Sequence, residues 1–261
     1  MTNSVRYYIP TRGRVGKQLT LENLPVGVRH LVTLVCPEDE VNGHLGAGFD
    51  HVDCRVVAQP PEIQTIGQKR EWIFKTLAAD DGVDFAWQLD DDLTLKTLGP
   101  GQLFKKSQNL PDQTLQWFQE TEPRLREEYP VLGLGTSYFA PKGGVRDNYH
   151  LGFAWGMNRA AMGALQMNRM DVFEDIDFTL QMLRKGFKIG VCYDVVVDQK
   201  QPDAPGGVTG ERTPETIQRD VLRLMKLHDG IVSMKPLRSG AHPAAITRVN
   251  WMKAAKEGGL R

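Results

Sequence analysis

The sequence predicts an α/β protein with a mostly parallel sheet and helices on both faces. Short apolar segments alternate with helical ones from the amino terminus to about residue 90. The connections between them are short, which favours successive βαβ units. Charged residues recur just past the apolar segments, and the carboxyl ends of strands are where open α/β sheets bind ligands. A chain of 261 residues is long enough for one large core. We expect residues 1–200 to form that core and 201–261 to add a small helical lobe and basic tail within one continuous domain.

Residues 5–9 (VRYYI) read as the first strand, followed by the loop Pro10, Thr11, Arg12, Gly13, Arg14 and a helical segment that Pro25 ends near residue 24. Loop guanidiniums beside a helix amino terminus can seat an anion, though both arginines also read as solvated charges. Residues 30–36 form a second strand, with Pro37 and Glu38 at its tip. Glu38 suits either a ribose contact or the first turn of a helix. Residues 55–58 are a third strand, and Ile66, Gly67, Gln68, Lys69 and Arg70 lead a helix. Cations in a first turn oppose the dipole preference, which an anionic ligand would explain.

The fourth strand organises the rest. Val83, Phe85, Trp87 and Leu89 alternate with other residues and end in Asp90, Asp91 and Asp92. Adjacent carboxylates repel unless a cation joins them, and hard oxygen ligands suit Mg²⁺ or Mn²⁺ beneath a diphosphate. An acidic turn capping a strand would look the same.

Residues 112–129 read as an amphipathic surface helix with Pro123 as a kink point, and 131–136 as a strand. Residues 142–148 form a glycine-bearing polar loop, either a lid or a plain hairpin. In 151–157, glycines beside Phe153 and Trp155 suit either a flat face for a sugar, with Trp155 and Gly156 on the acceptor, or sheet core. Glu174 and Asp175 open a helix continued by Ile176, Leu180 and Leu183, where acids ordinarily cap. A carboxylate held there is also well placed to accept a proton. Residues 189–197 read as the last core strand, ending in Asp198. After a Pro- and Gly-rich link, 214–228 is a helix, and the tail carries Lys235, Arg238, Arg248, Lys253, Lys256, Arg261 and Trp251. Such a patch suits a phosphate backbone or an ordinary solvated terminus.

Lys plus Arg and Asp plus Glu balance at 32 each, so no global field recruits nucleic acid or a membrane. Cys36, Cys54 and Cys192 lack a paired spacing, which predicts reduced thiols and no zinc knuckle. No apolar run approaches 18 residues and no signal-like segment opens the chain, so a soluble, cytoplasmic protein without a membrane partner is expected.

Taken together, the loop at 9–12, the strand end at 89–92 and the helix start at 173–175 resemble a GT-A nucleotide-sugar glycosyltransferase. Residues 172–199, with Pro205, Gly206 and Gly207 after them, resemble the TET-associated glycosyltransferases of bacteriophages. That resemblance implies a GT-A (Rossmann-like) fold. It implies transfer of a sugar from a nucleoside-diphosphate sugar, UDP favoured, onto a modified pyrimidine such as 5-hydroxymethylcytosine in phage DNA, in the cytoplasm of the bacterial host. Asp92 would coordinate Mn²⁺ or Mg²⁺, with Asp90 near the ribose or a metal-bound water and Asp91 supporting. Pro10, Thr11, Arg12 and Arg14 would line the nucleotide, Lys69 and Arg70 the diphosphate, and Asp175 would be the base of an inverting reaction beside Glu174. Many GT-A enzymes add a late histidine to the metal. Here Asp198 stands near that place, so either it substitutes or the shell is completed elsewhere, for instance by His228. The alternatives are a nucleotidyltransferase, a glycosyltransferase acting on a glycan or protein, and a binding module without turnover.

Overall fold

A computed structural model describes residues 4–47, 54–99, 101, 103–139, 143–199, 213–234 and 247–260. Among these, the strands are β1 Val5–Pro10, β2 Val32–Cys36, β3 Arg55–Ala58, β4 Phe85–Leu89, β5 Leu93–Leu98, β6 Phe104–Lys106, β7 Val131–Leu134, β8 Val145–Asp147, β9 Ala154–Asn158, β10 Ile189–Cys192, β11 Val195–Gln199, β12 Val232–Met234 and β13 Thr247–Val249. Eight of them form the central sheet in the order β3-β2-β1-β4-β9-β7-β10-β8. The pairings run parallel across β3, β2, β1 and β4 and between β7 and β10, while β9 and the edge strand β8 run against the others. This mostly parallel sheet, flanked by helices, is the predicted architecture.

The chain winds outward from β1 to β3 and then returns to β4 on the other side of β1. That reversal makes a switch point between the carboxyl ends of β1 and β4, where the loops diverge and leave a crevice. Both central strands are buried, and their apolar side chains supply both layers. Tyr7, Ile9, Phe85, Trp87 and Leu89 pack on one face, and Tyr8 and Ala86 on the other. The buried indole N–H of Trp87 donates to Glu122 at 2.8 Å, which removes the cost of a polar atom left alone in the core.

Four expectations change. The helix before Pro25 shrinks to Leu19–Asn23 because Gly13 and Gly16 take positive φ, a conformation that ends a helical run. The helix 111–128 runs through Pro123, and a wider π turn at Trp117–Thr121 precedes the residue whose missing N–H would otherwise break the ladder. Residues 145–147 of the anticipated lid or hairpin are edge strand β8, paired antiparallel with β10, while Lys142 lies outside the described residues. The single strand expected over 189–197 is two. After β10 the chain turns at Tyr193 and Asp194, and β11 leaves the central sheet to pair antiparallel with β5.

Strands β5 and β6 were not anticipated. With β11 they form a second, three-stranded sheet, although the alternating burial of Leu93, Leu95 and Thr97 follows a period of two visible in the sequence. The helix Pro214–Leu227 buries Ile217, Val221 and Leu224, and the helix Trp251–Glu257 buries Ala254 and Ala255, all in the same core as the helix Glu174–Arg184.

Candidate active site

The acid turn Asp90–Asp92 is built from four directions. Thr20 accepts the N–H of Leu93 at 2.8 Å and donates to the carbonyl of Asp90 at 2.5 Å, fixing the backbone as β4 turns into β5. Thr11, just past β1, donates its hydroxyl to Asp91 at 2.6 Å and accepts from the Gln18 amide at 3.0 Å. Arg14 forms an ion pair with Asp91 and lies 3.1 Å from Asp92. Gln199, at the end of β11, places its amide nitrogen 3.2 Å from Asp92. Loop 9–14 and the acid turn therefore meet at the switch point.

Arg70 is the other junction. Its guanidinium, buried, pairs with Asp90 at 2.5 Å and with Glu174 at 2.8 Å, so it ties the acid turn to the start of the helix Glu174–Arg184. Burial raises the Asp90 carboxyl to about 6, against the opposing pull of Arg70. Burial likewise raises Asp91, with Thr11 and Arg14 pulling the other way. Glu174 and Asp175 diverge. Burial raises Glu174 in spite of Arg70, whereas for Asp175 the hydrogen bond and charge of His150, together with Arg70, outweigh burial and hold its carboxyl below the usual range. Adjacent titratable groups pushed in opposite directions are a common feature of catalytic sites.

The helix start is itself unusual. Phe173 takes the N-cap position at φ 67° and makes no side-chain cap, a left-handed conformation uncommon for a bulky residue. The preceding turn is held instead by Asp220 of the helix Pro214–Leu227, which accepts the N–H groups of Asp171 and Val172 at 2.9 and 2.8 Å.

Several expected residues sit elsewhere. Asp198 does not join Asp92: side chains alternate along β11, so Gln199 faces the acid turn while Asp198 pairs with Lys96 at 2.6 Å and Ser137 at 2.5 Å. His228 is buried and lies 2.7 Å from Asp177, so it is no ligand beside Asp92 either. Trp155 is 1% exposed and stacked between Phe74 and Phe178, so it is core and presents no face to an acceptor. Gly156 is core as well, since a Cβ there would meet Phe85 and Trp87 at under 3 Å. Gly67 serves packing, because a Cβ would stand 2.4 Å from the carbonyl of Met167. Glu38 is exposed in the first turn of the helix Glu38–Gly46, and it is Glu40 that reaches the loop, accepting the N–H of Gly13 at 2.8 Å. Lys69 is buried under the loop and donates to the carbonyl of Thr11 at 2.9 Å. Arg12 is exposed, bonded to the Gln64 carbonyl at 3.3 Å, and Pro10 closes β1.

Sequence reasoning missed Gln18, Thr20, His150 and Gln199. Thr20 carried no signal, because its partner is backbone 70 residues away. Gln199, adjacent to an acid at a strand tip, did carry one.

Among the described residues no group of three or more His, Cys, Asp or Glu side chains forms a preformed metal cage. The chemistry of the rim nevertheless fits a divalent cation. Asp92 is half-buried, its carboxylate already faces a cationic group in Arg14, and the Gln199 side chain stands beside it. Mg²⁺ and Mn²⁺ typically take one or two carboxylates and fill the rest of the shell with water and phosphate oxygens.

The mostly parallel sheet, with an acid turn at its switch point and a carboxylate pair at a helix start tied to it by Arg70, is a GT-A-like fold. The family model of the TET-Associated Glycosyltransferases matches residues 5–207, and the chain belongs to that family. Among solved structures, glucosyl-3-phosphoglycerate synthase from Mycobacterium tuberculosis, in complex with Mn²⁺, UDP and glucosyl-3-phosphoglycerate, is similar at TM-score 0.53 and 11% identity, covering 90% of this chain and 85% of that one. A mycobacterial protein is similar at TM-score 0.51 and 12% identity, covering 95% and 84%. At these identities the likeness is one of fold. No curated protein matches the chain, and no helix among the described residues is long and apolar enough to cross a membrane.

Proposed function

We propose that this enzyme transfers a sugar from a nucleoside-diphosphate sugar, UDP favoured, to the hydroxyl of a modified pyrimidine such as 5-hydroxymethylcytosine in phage DNA, with inversion. The observation that carries the reading is the Arg70 bridge, which brings Asp90 and Glu174, and with it Asp175, to one rim. Asp92 and Asp90 would hold Mn²⁺ or Mg²⁺, which when bound supplies charge stabilisation for the departing diphosphate. Loop 10–14 would take the nucleotide, with Arg14 released toward the diphosphate as its carboxylate partners turn to the metal. Asp175, ionised and next to the Glu174 that Arg70 links to Asp90, would take the proton of the acceptor hydroxyl as it attacks. Attack from the face away from the diphosphate inverts the anomeric centre. The acceptor base would be flipped out of the duplex or presented single-stranded, since a stacked base is hard to reach. Exposed Arg248, Lys253 and Lys256 would steady the phosphate backbone; Lys235, Arg238 and Arg261 lie outside the described residues. The Mn²⁺ and UDP in the mycobacterial synthase support the donor and metal parts of this reading, and the family supports the acceptor.

The test is incubation with Mn²⁺, a panel of UDP-sugars and DNA containing 5-hydroxymethylcytosine, followed by digestion to nucleosides and mass spectrometry. A glycosylated nucleoside with release of UDP is expected; release of pyrophosphate would instead indicate nucleotidyl transfer. Asp175→Asn should lose transfer by about 10²-fold or more while retaining UDP binding by calorimetry. Asp92→Asn should lose the Mn²⁺-dependent part of that binding.

A further inference from the structure

Two carboxylates stand side by side at the start of the helix Glu174–Arg184, and what separates them is the company each keeps. Glu174 turns to Arg70. Asp175 accepts the N–H of Ile176 on Oδ1 at 2.8 Å and faces Nε2 of His150 with Oδ2 at 3.2 Å. His150 lies on the connection between β8 and β9, which has no ladder of its own at that point. The same connection reaches the acid turn, where the carbonyl of Phe153 accepts the N–H of Asp90 at 3.2 Å.

Something must hold the imidazole in place, and it comes from the far end of the chain. The indole of Trp251 stacks on His150 with centroids 5.2 Å apart and planes 24° apart. Tyr149 meets the same indole edge-on at 6.2 Å, and the guanidinium of Arg146 sits 3.5 Å from the Tyr149 ring centroid. The helix that carries Trp251 is anchored independently of this stack. Asn250 caps it through Lys253 at 3.0 Å, Glu257 pairs with Arg184 at 3.1 Å, and Gly258 passes so close that a Cβ would overlap the carbonyl of Leu183. Trp251 is thus fixed to the very helix whose first turn bears Asp175.

We propose that His150 is the positioning residue for Asp175, donating from Nε2–H to orient its carboxylate, and that Trp251 makes the C-terminal helix part of the reaction machinery by holding that imidazole in register. The inference rests on the reading of Asp175 as the base. An N–H donated from Nε2 stabilises the ionised carboxylate and leaves its remaining lone pairs for the acceptor proton. The other charged groups facing Asp175 are Glu174 on its own helix and Arg70, which Asp90 in turn pairs with. Glu174 opposes ionisation of Asp175, so the His150 contact is the one that Arg70 alone does not replace.

The experiment follows the side-chain carboxyl ¹³C shift of Asp175 with pH in the full chain, assigned against Asp175→Asn. Removing the donor with His150→Leu, or the clamp with Trp251→Ala, is expected to move the Asp175 midpoint to higher pH. His150→Gln, whose amide N–H can take the place of Nε2–H but which carries no charge, should move it less than His150→Leu. With whichever sugar nucleotide and acceptor pair turns over, His150→Leu should lower kcat by on the order of 10-fold or more at an unchanged KM for the donor, and His150→Gln should recover most of it. Coincident midpoints in all four proteins, or equal losses in the Leu and Gln variants, would overturn the inference. Full turnover in Asp175→Asn would instead remove the base reading beneath it.

Discussion

Around the acid turn nearly every charged group has a buried or half-buried partner, whereas around Asp175 the side chains are partly open and rest on a single aromatic stack. Asp90, Asp91 and Asp92 are met by Arg70, Arg14, Thr11 and Gln199, and the loop carbonyl above them by Lys69. His150 and Asp175 keep side-chain exposures of 29% and 27%. The braced side has its backbone fixed before a ligand arrives, so that only the Arg14 and carboxylate side chains need turn, which lowers the cost of binding. The open side keeps a route for a bulky acceptor, and its precision then depends on packing from a distant segment.

The comparison breaks most sharply at Arg70. Replacing it with Met leaves two half-buried carboxylates without their buried cation, and urea unfolding should show a loss of about 3 kcal/mol or more. A loss below ~1 kcal/mol would mean that the bridge is ornamental. Next comes Lys69, which burial lowers from 10.5 to about 8. The folded state disfavours its charged form, so between those two values the unfolded chain binds more protons and stability rises with pH, by roughly 3 kcal/mol across the window. The difference in stability between wild type and Lys69→Met, measured from pH 8 to 10, should change in that sense; a flat difference would place Lys69 in water.

Gly67→Ala sharpens the contrast between packing and binding. Its Cβ would press on the Met167 carbonyl, at a cost of about 1–3 kcal/mol, with UDP affinity retained in the folded fraction. The smallest effect is expected at Asp198. Its pairing with Lys96 is partly exposed, so Asp198→Asn should cost under ~1 kcal/mol and leave Mn²⁺ affinity unchanged. A large loss of metal binding would return Asp198 to the acid turn.

Much of the central sheet was legible because its strands are local apolar runs bounded by Pro, Gly and charge, and that pattern needs no knowledge of partners. Residues 5–9, 30–36, 55–58 and 83–89 read this way, against observed strands at Val5–Pro10, Val32–Cys36, Arg55–Ala58 and Phe85–Leu89. The acid turn was legible for the same reason, as three carboxylates at the end of a buried strand. The place of Asp198 stayed open because the Tyr193–Asp194 turn moves β11 into another sheet, which decides the face each side chain takes. Trp155 stayed open between an acceptor face and sheet core because a Trp in a glycine-bearing run looks alike whether it lies on a surface or under a helix, and the structure puts it in the core.

By itself, then, the chain's pattern of apolar runs and charged tips determined the first four strands and the carboxylates at their tips, since burial periodicity and backbone chemistry act over a few residues. Only the tertiary structure decided which partner each carboxylate meets: Arg70 between Asp90 and Glu174, Gln199 in place of Asp198, and His150 with Trp251 beside Asp175. Those pairings span 20 to 107 residues of sequence, and contacts at such separations are set by how elements pack and which way a strand turns, neither of which local periodicity encodes.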